Sequence, residues 1–190
     1  MHESYSLEKL TQCPWANLYR VQHNHKSQTP RSWIMCSRKQ QPIQDASQAD
    51  AVVIVPFITT DSGRKLVVTR EFRVPIWDYE YGFPAGLIDD GESIEMAIKR
   101  ELKEETGLDL LTINHISMPV YSSGGLTDES CVMAMAEVSG EVSTEGQEES
   151  EDIEVVLMDV SDIKALLASR HKVSAKAWGI FYHIGQTGKI

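Results

Sequence analysis

Hydrophobic and polar residues alternate along much of the chain, as they do in strands with one buried face. This alternation, together with short apolar runs, predicts strands at residues 16–23, 31–36, 51–58, 65–72, 113–121, 131–138 and 153–158. Apolar residues at every third or fourth position predict helices over residues 93–106, 161–169 and 175–183. Residues 122–130 and the acidic run 139–152 have the glycines and polar residues of loops.

This order of elements predicts a mixed α/β fold, either α+β or a layered α/β/α domain. A length of 190 residues suits one sizeable core, because domains usually contain about 100–200 residues. Residues 1–45 read as an antiparallel β appendage, and residues 46–190 as the main domain.

The charge of the chain narrows the choice of partners. There are 28 acidic and 18 basic residues, which give a formal net charge of −10 and argue against binding to nucleic acids or acidic membranes. No apolar run approaches the roughly 18 residues of a membrane span. Cys13, Cys36 and Cys131 lack the spacing of a disulfide framework or a zinc site, so we expect a reducing, cytoplasmic location.

The helix predicted at residues 93–106 places carboxylates on its buried side. Its apolar face contains Ile94, Ala97, Ile98 and Leu102. Glu101 and Glu105 fall on that face, and Glu104 lies at its edge. A solvated helix with ion pairs such as Arg100 with Glu104 would explain only the outer face. Because burying an unpaired carboxylate costs several kcal/mol, the inward cluster predicts a compensating cation, and all-oxygen ligands suit Mg²⁺.

The same segment fits the pattern G-x5-E-x7-R-E-U-x-E-E-x-G-U, in which U is aliphatic. Every fixed position is filled, by Gly86, Glu92, Arg100, Glu101, Leu102, Glu104, Glu105, Gly107 and Leu108. In this pattern the chain resembles the Nudix hydrolase family, whose members cleave a nucleoside diphosphate linked to another group. The resemblance implies an α/β/α sandwich with a mixed sheet.

The resemblance also implies roles for the residues of the motif. Glu101 and Glu105 would bind Mg²⁺, or alternatively Mn²⁺, together with the backbone carbonyl of Ala85. Glu104 would be a further ligand or a proton-transfer group. The remaining positions are expected to be structural, namely Gly86, Glu92, Arg100 and Gly107.

The flanking segments 71–92 and 29–39 resemble the ADP-sugar pyrophosphatase branch of the family. This likeness implies a nucleoside diphosphate sugar as substrate. It implies that Trp15 and Trp33 stack on the base across the interface of a homodimer, and that Arg38 and Arg73 contact phosphate or ribose. The alternatives are that the tryptophans anchor the N-terminal sheet and that the arginines are ordinary surface residues.

Similar enzymes use a glutamate on an acidic loop after the motif to activate water. The segment 148–156 fits that loop best and points to Glu149, with Glu148 and Glu151 as neighbours, although a solvated loop without chemical function is the alternative. Two departures leave the sugar and the base open. Ser123 and Gly124 lie where ADP-ribose enzymes tend to carry a proline, and Gly82 precedes "FPAG" where they often carry a glutamate.

Three hypotheses follow for the activity. The first is Mg²⁺-dependent hydrolysis of ADP-ribose or a related nucleoside diphosphate sugar to a nucleoside monophosphate and a sugar phosphate. The second is a house-cleaning nucleoside triphosphate pyrophosphohydrolase. The third is a sensor that binds sugar nucleotides without cleaving them.

Overall fold

The computed structural model describes residues 5–26, 29–43 and 48–190 of the chain. These residues form two compact units. The first contains Met1–Asp50 and Pro119–Cys131, and the second contains Ala51–Met118 and Val132–Ile190. The predicted boundary between residues 45 and 46 lies outside the described residues. The inclusion of residues 119–131 in the first unit is a feature that the sequence did not indicate.

The first unit contains an antiparallel sheet of three strands in the order β1 (Tyr5–Lys9), β2 (Asn17–His23) and β3 (Arg31–Ser37). One face of this sheet is buried. On this face Tyr19, Val21 and Met35 form a hydrophobic cluster, and Leu7 packs against that cluster. The backbone N–H of Cys36 donates to the carbonyl of Leu126 at 2.8 Å. That bond holds residues 119–131 beside β3.

The second unit is built on a larger mixed sheet. Its strands are β4 (Ala51–Thr60), β5 (Gly63–Arg73), β6 (Asp78–Gly82), β7 (Ala85–Leu87), β8 (Asp109–Ile116), β10 (Ser130–Ser139), β11 (Ile153–Met158) and β12 (Lys172–Val173). The order is β12-β6-β5-β4-β10-β8, with β11 paired to β5 and β7 to β4. Strand β6 is parallel to β12 and antiparallel to β5. Strand β9 (Val120–Tyr121) pairs with the first two residues of β10.

Three helices pack on this sheet: α1 (Ile94–Thr106), α2 (Val160–Ala168) and α3 (Ala175–Thr187). Helix α1 begins after Ser93, whose hydroxyl accepts a hydrogen bond from the N–H of Met96 at 3.2 Å. It ends at Gly107, whose φ of 74° is readily adopted only by glycine. Helix α1 contacts β4, β7 and β8, whereas α2 and α3 pack on each other. No helix in the described part of the chain is long and apolar enough to cross a membrane.

The predicted α/β fold with a mixed sheet and an N-terminal antiparallel β region is confirmed, as are the three helices. The prediction of one strand over residues 113–121 is wrong, because β8 ends at Ile116 and a separate β9 begins at Val120. Pro119 lies between them and has no N–H for a ladder bond. Strands β1, β6, β7 and β12 were not predicted, since each has at most five residues.

Candidate active site

Two of the three motif carboxylates that the sequence placed on the inner face of α1 are buried. Glu101 is 8% exposed and Glu105 is 4% exposed, on a face that also buries Ile98 and Leu102. The side chain of Glu104 is 45% exposed. The sequence placed it at the edge of the buried stripe, and the structure leaves nearly half of it open to solvent.

Glu105 lies against strand β7, where the backbone N–H of Ala85 donates to its Oε2 at 3.3 Å. Burial, together with the charges of Glu71, Glu101 and Glu151, raises the pKa of Glu105 to about 9. Burial likewise raises the pKa of Glu101, against the lowering effect of Arg100. These carboxylates therefore form a cluster whose negative charge disfavours ionisation of its most buried member.

Arg100 connects α1 to the loop before it. Its Nε and Nη2 donate to the two oxygens of Glu92 at 3.0 and 2.8 Å, and its Nη1 donates to Glu101 at 2.7 Å and Glu104 at 3.3 Å. Nη2 also donates to the carbonyl of Leu87 at 2.9 Å. The hydrogen bond from Arg100 holds the pKa of Glu92 below its usual range. The guanidinium thus fixes the loop and orients two carboxylates of the motif.

Two glycines of the motif lie where another side chain would not fit. A Cβ on Gly86 would overlap the carboxylate of Glu101. A Cβ on Gly107 would lie 2.6 Å from the backbone nitrogen of Ser143, in addition to the strain of its positive φ. Gly86 is therefore needed for the approach of β7 to α1, and Gly107 for the approach of the chain that follows β10.

The site can be tested for its fit to a divalent cation. Within residues 5–26, 29–43 and 48–190, no three Asp, Glu, His or Cys side chains are already gathered around one point. Glu101 is held by Arg100, and Glu105 by the N–H of Ala85. The available donors are nonetheless all oxygen, and a cation would offset the repulsion that raises the pKa of Glu105. Oxygen ligands and clustered negative charge fit Mg²⁺.

Glu151, in the acidic loop before β11, interacts electrostatically with this cluster of carboxylates. The charge of Glu151 contributes to the raised pKa of Glu71, Glu101 and Glu105. Its Oε2 accepts a hydrogen bond from the N–H of Glu148 at 2.9 Å. Among the described residues, no hydrogen bond or ion pair joins Glu149 to the cluster. The sequence identified Glu151 only as a neighbour of Glu149.

Strands β5 and β6 add two glutamates that the sequence did not single out, beside the predicted Arg73. Glu71 pairs with Glu80 across these strands, and Arg73 lies 2.6 Å from Glu71 and 3.9 Å from Glu80. Gly82 lies two residues beyond Glu80 on the same face of β6. The alternation in "DYEYG" could have revealed this arrangement, but the strand is only five residues long and is followed closely by Pro84.

The first unit contains the other predicted substrate-binding residues. Trp33 is 54% exposed, and its Nε1 donates to the carbonyl of Gly125 at 3.1 Å. It lines a cavity of about 560 Å³, together with Val21, Met35, Tyr121 and Leu126 among other residues. Trp15 is 79% exposed and does not line this cavity. Arg38 is paired with Glu129 at 3.0 Å.

A family model described as the NUDIX domain matches residues 48–178, which is more than half of the chain. The chain belongs to the Nudix family. The matched residues include the whole of α1, the β7 segment and the acidic loop. The matched range thus contains the whole segment from Gly86 to Leu108, in agreement with the resemblance noted from the sequence.

Among the Nudix relatives, the ADP-ribose pyrophosphatase of Saccharomyces cerevisiae is 28% identical over 72% of this chain and 58% of its own length. The ADP compounds hydrolase NudE of Escherichia coli is 45% identical over 39% of this chain and 40% of its own. The chain thus spans less than two thirds of these relatives. The comparison with a crystal structure of an ADP compounds hydrolase gives a TM-score of 0.72 and 22% sequence identity. The match covers 100% of this chain and 98% of the other chain. This structural likeness concerns the fold alone.

Proposed function

We propose that this Nudix protein hydrolyses the diphosphate bond of ADP-ribose or a related nucleoside diphosphate sugar in a Mg²⁺-dependent reaction. The products would be a nucleoside monophosphate and a sugar phosphate. The observation that carries the proposal is the buried pair of Glu101 and Glu105 on α1, facing the backbone at Ala85 and Gly86. The similarity to relatives named ADP-ribose pyrophosphatase and ADP compounds hydrolase supports this substrate class.

The metal ligands in this proposal are Glu101, Glu104, Glu105 and the carbonyl of Ala85. Mn²⁺ is an alternative to Mg²⁺ for the same oxygen donors. When bound, the cation would offset the negative charge of the diphosphate. Arg100 keeps Glu101 and Glu104 oriented through its own bonds to Glu92 and to the backbone of Leu87, so the carboxylates are held before any ligand binds.

Hydrolysis requires a base that removes a proton from the attacking water. The water oxygen forms a bond to one phosphorus atom, the bond from that atom to the bridging oxygen breaks, and the proton passes to a carboxylate. We propose that the base comes from the acidic loop. The sequence favours Glu149, whereas the electrostatic influence of Glu151 on Glu101 and Glu105 favours Glu151, which is thus the better supported of the two.

The remaining substrate contacts are proposed from both units. Arg73 would contact a phosphate, and Trp33 would stack on the base within its mostly apolar cavity. Trp15 and Arg38 complete the proposed binding residues. Trp15 does not line the Trp33 cavity, and we propose that it reaches the base from a second copy of the chain, as in the homodimer that the resemblance implies. A cytoplasmic location also remains a prediction.

A substrate panel tests the reaction class. Purified protein is incubated with ADP-ribose, ADP-glucose, GDP-mannose, UDP-glucose and the nucleoside triphosphates, with Mg²⁺, and the products are separated by anion exchange. We expect a nucleoside monophosphate and a sugar phosphate from at least one sugar nucleotide. Preferential release of diphosphate from triphosphates would favour the house-cleaning hypothesis. Tight binding of a sugar nucleotide without turnover would favour the sensor.

A further inference from the structure

A small cavity in the second unit lies next to the motif carboxylates and contains a lysine to which the proposed reaction has so far given no role. The cavity measures about 40 Å³, and we call it the β6–α3 cavity. Its charged and polar lining consists of Thr69, Glu71, Arg73, Glu80, Ser174 and Lys176, and Ala85 forms part of its wall. Ala85 also donates its N–H to Glu105, so the cavity and the motif share a wall.

The backbone fixes the position of Lys176 over the end of β6. The N–H of Ser174 donates to the carbonyl of Tyr81 at 2.8 Å, and Val173 pairs with Tyr81 in the parallel β12–β6 ladder. Helix α3 begins at Ala175, immediately after this anchor. Lys176 is therefore the second residue of a helix whose start is tied to the cavity wall.

The two cations of the cavity differ in their partners. Arg73 is held 2.6 Å from Glu71 and 3.9 Å from Glu80, so its charge is already balanced. Lys176, by contrast, forms no ion pair or side-chain hydrogen bond with any residue in the described part of the chain. The cavity thus contains a cation that is available to an anionic ligand.

The position of Lys176 in α3 gives no structural reason for a positive charge. A cation in the first turn of a helix is opposed by the helix dipole, which favours acidic residues there. The first turn of α3 has no acidic residue that would compensate for it. The helix dipole therefore does not favour a lysine at this position.

We propose that Lys176 binds the diphosphate oxygens of the substrate from the β6–α3 cavity. This inference rests on the proposed function, because it takes a nucleoside diphosphate as the ligand. A lysine ammonium offers three donors and a compact charge to phosphate oxygens. It adds a cation to a cavity whose other charged side chains, Glu71, Arg73 and Glu80, are two carboxylates and one guanidinium.

The test measures equilibrium binding of α,β-methylene-ADP, in which a CH₂ group replaces the bridging oxygen, to the full chain with Mg²⁺ by calorimetry. We expect Lys176→Met to weaken the dissociation constant about tenfold, the loss typical of one charge-assisted hydrogen bond, and Lys176→Arg to restore most of the affinity. Lys99→Met, at an exposed lysine on the outer face of α1, is the control for general electrostatics and should bind like the wild type.

Equal affinity of the wild type and Lys176→Met would overturn the inference, as would no binding of the analogue to the wild type. An equal loss in Lys99→Met would also overturn it, because the effect would then reflect net charge alone. The outcome is separate from that of the substrate panel. Hydrolysis of a sugar nucleotide with unchanged binding in Lys176→Met would reject the inference and keep the proposed function. Lys176-dependent binding without hydrolysis of any sugar nucleotide would reject only the function.

Discussion

The backbone N–H of Ala85 donates to the buried carboxylate of Glu105 at 3.3 Å, and this bond joins strand β7 to helix α1. Beside it, Gly86 allows the carboxylate of Glu101 to approach the strand. The strand and the helix thus share a closely packed boundary lined by carboxylates. Nothing in the packing of an ordinary core requires such groups here, and the proposed metal binding would account for their cost to the free energy of folding.

Glu105 should make the stability of the metal-free protein depend on pH. Its folded-state pKa is raised from 4.5 to about 9, so its stabilising contribution is fully present below pH 4.5 and is lost as pH rises towards 9. We expect the free energy of unfolding of the wild type to fall more steeply between pH 5 and 9 than that of Glu105→Gln. Urea unfolding in EDTA measures both slopes. Parallel slopes would show that Glu105 ionises normally in the fold.

Gly86→Ala should damage the site with little effect on the rest of the fold. The added Cβ would overlap the carboxylate of Glu101, which must then move or push β7 away. We expect kcat/KM to fall by about a hundredfold, because ångström-scale misplacement of an active-site group has effects of that size. Gly91→Ala is a useful comparison, since its Cβ meets no atom within 4 Å, although Gly91, unlike Gly86, has a positive φ. A fully active Gly86→Ala variant would contradict the proposed position of Glu101.

Arg100 should be required for the arrangement of the carboxylates as well as for stability. Arg100→Lys keeps the charge but cannot reproduce the fork that binds both oxygens of Glu92 and also reaches Glu101. We expect both Arg100→Lys and Arg100→Met to lower kcat/KM, and Arg100→Met to lower Tm by about 4 °C. Thermal unfolding and initial rates measure the two effects. Full activity in Arg100→Lys would mean that only the charge matters.

Kinetic measurements can distinguish the roles of Glu149 and Glu151 in the acidic loop. If Glu151 is the base, Glu151→Gln should lower kcat by about a hundredfold with a nearly unchanged KM, whereas Glu149→Gln should lower it less than tenfold. The basis is the effect of Glu151 on Glu101 and Glu105. The reverse order would assign the base to Glu149. Wild-type rates in both variants would place the base outside the loop.

The sequence predicted the buried face of α1 better than it predicted the short strands around it. The helical period placed Glu101 and Glu105 inward, because a periodic pattern over four turns is a strong local signal. The strand containing Glu80 was missed, since "DYEYGFPAG" combines a five-residue strand with glycine and proline. The grouping of residues 119–131 with the N-terminal sheet depends on contacts distant in sequence, such as Cys36 with Leu126, which no local pattern encodes.

The cavity at Trp33 also depends on contacts between residues that are distant in sequence. The sequence identified Trp33 as a candidate for base stacking, but its cavity is formed with Tyr121 and Leu126, far along the chain. The missing proline near Ser123 and Gly124 seemed only a departure from related sequences. The structure shows Gly124 in the wall of this cavity, so the departure lies where a bound base would be selected.

The central claim is that the buried carboxylates of α1 serve a metal-dependent cleavage of a diphosphate. The most direct measurement is the release of AMP and ribose 5-phosphate from ADP-ribose by the wild type and by Glu101→Gln and Glu105→Gln, each with Mg²⁺ and with EDTA. The account predicts release by the wild type with Mg²⁺, little release with EDTA, and a loss of at least about a hundredfold in both variants. Equal release by the wild type and the two variants would contradict it.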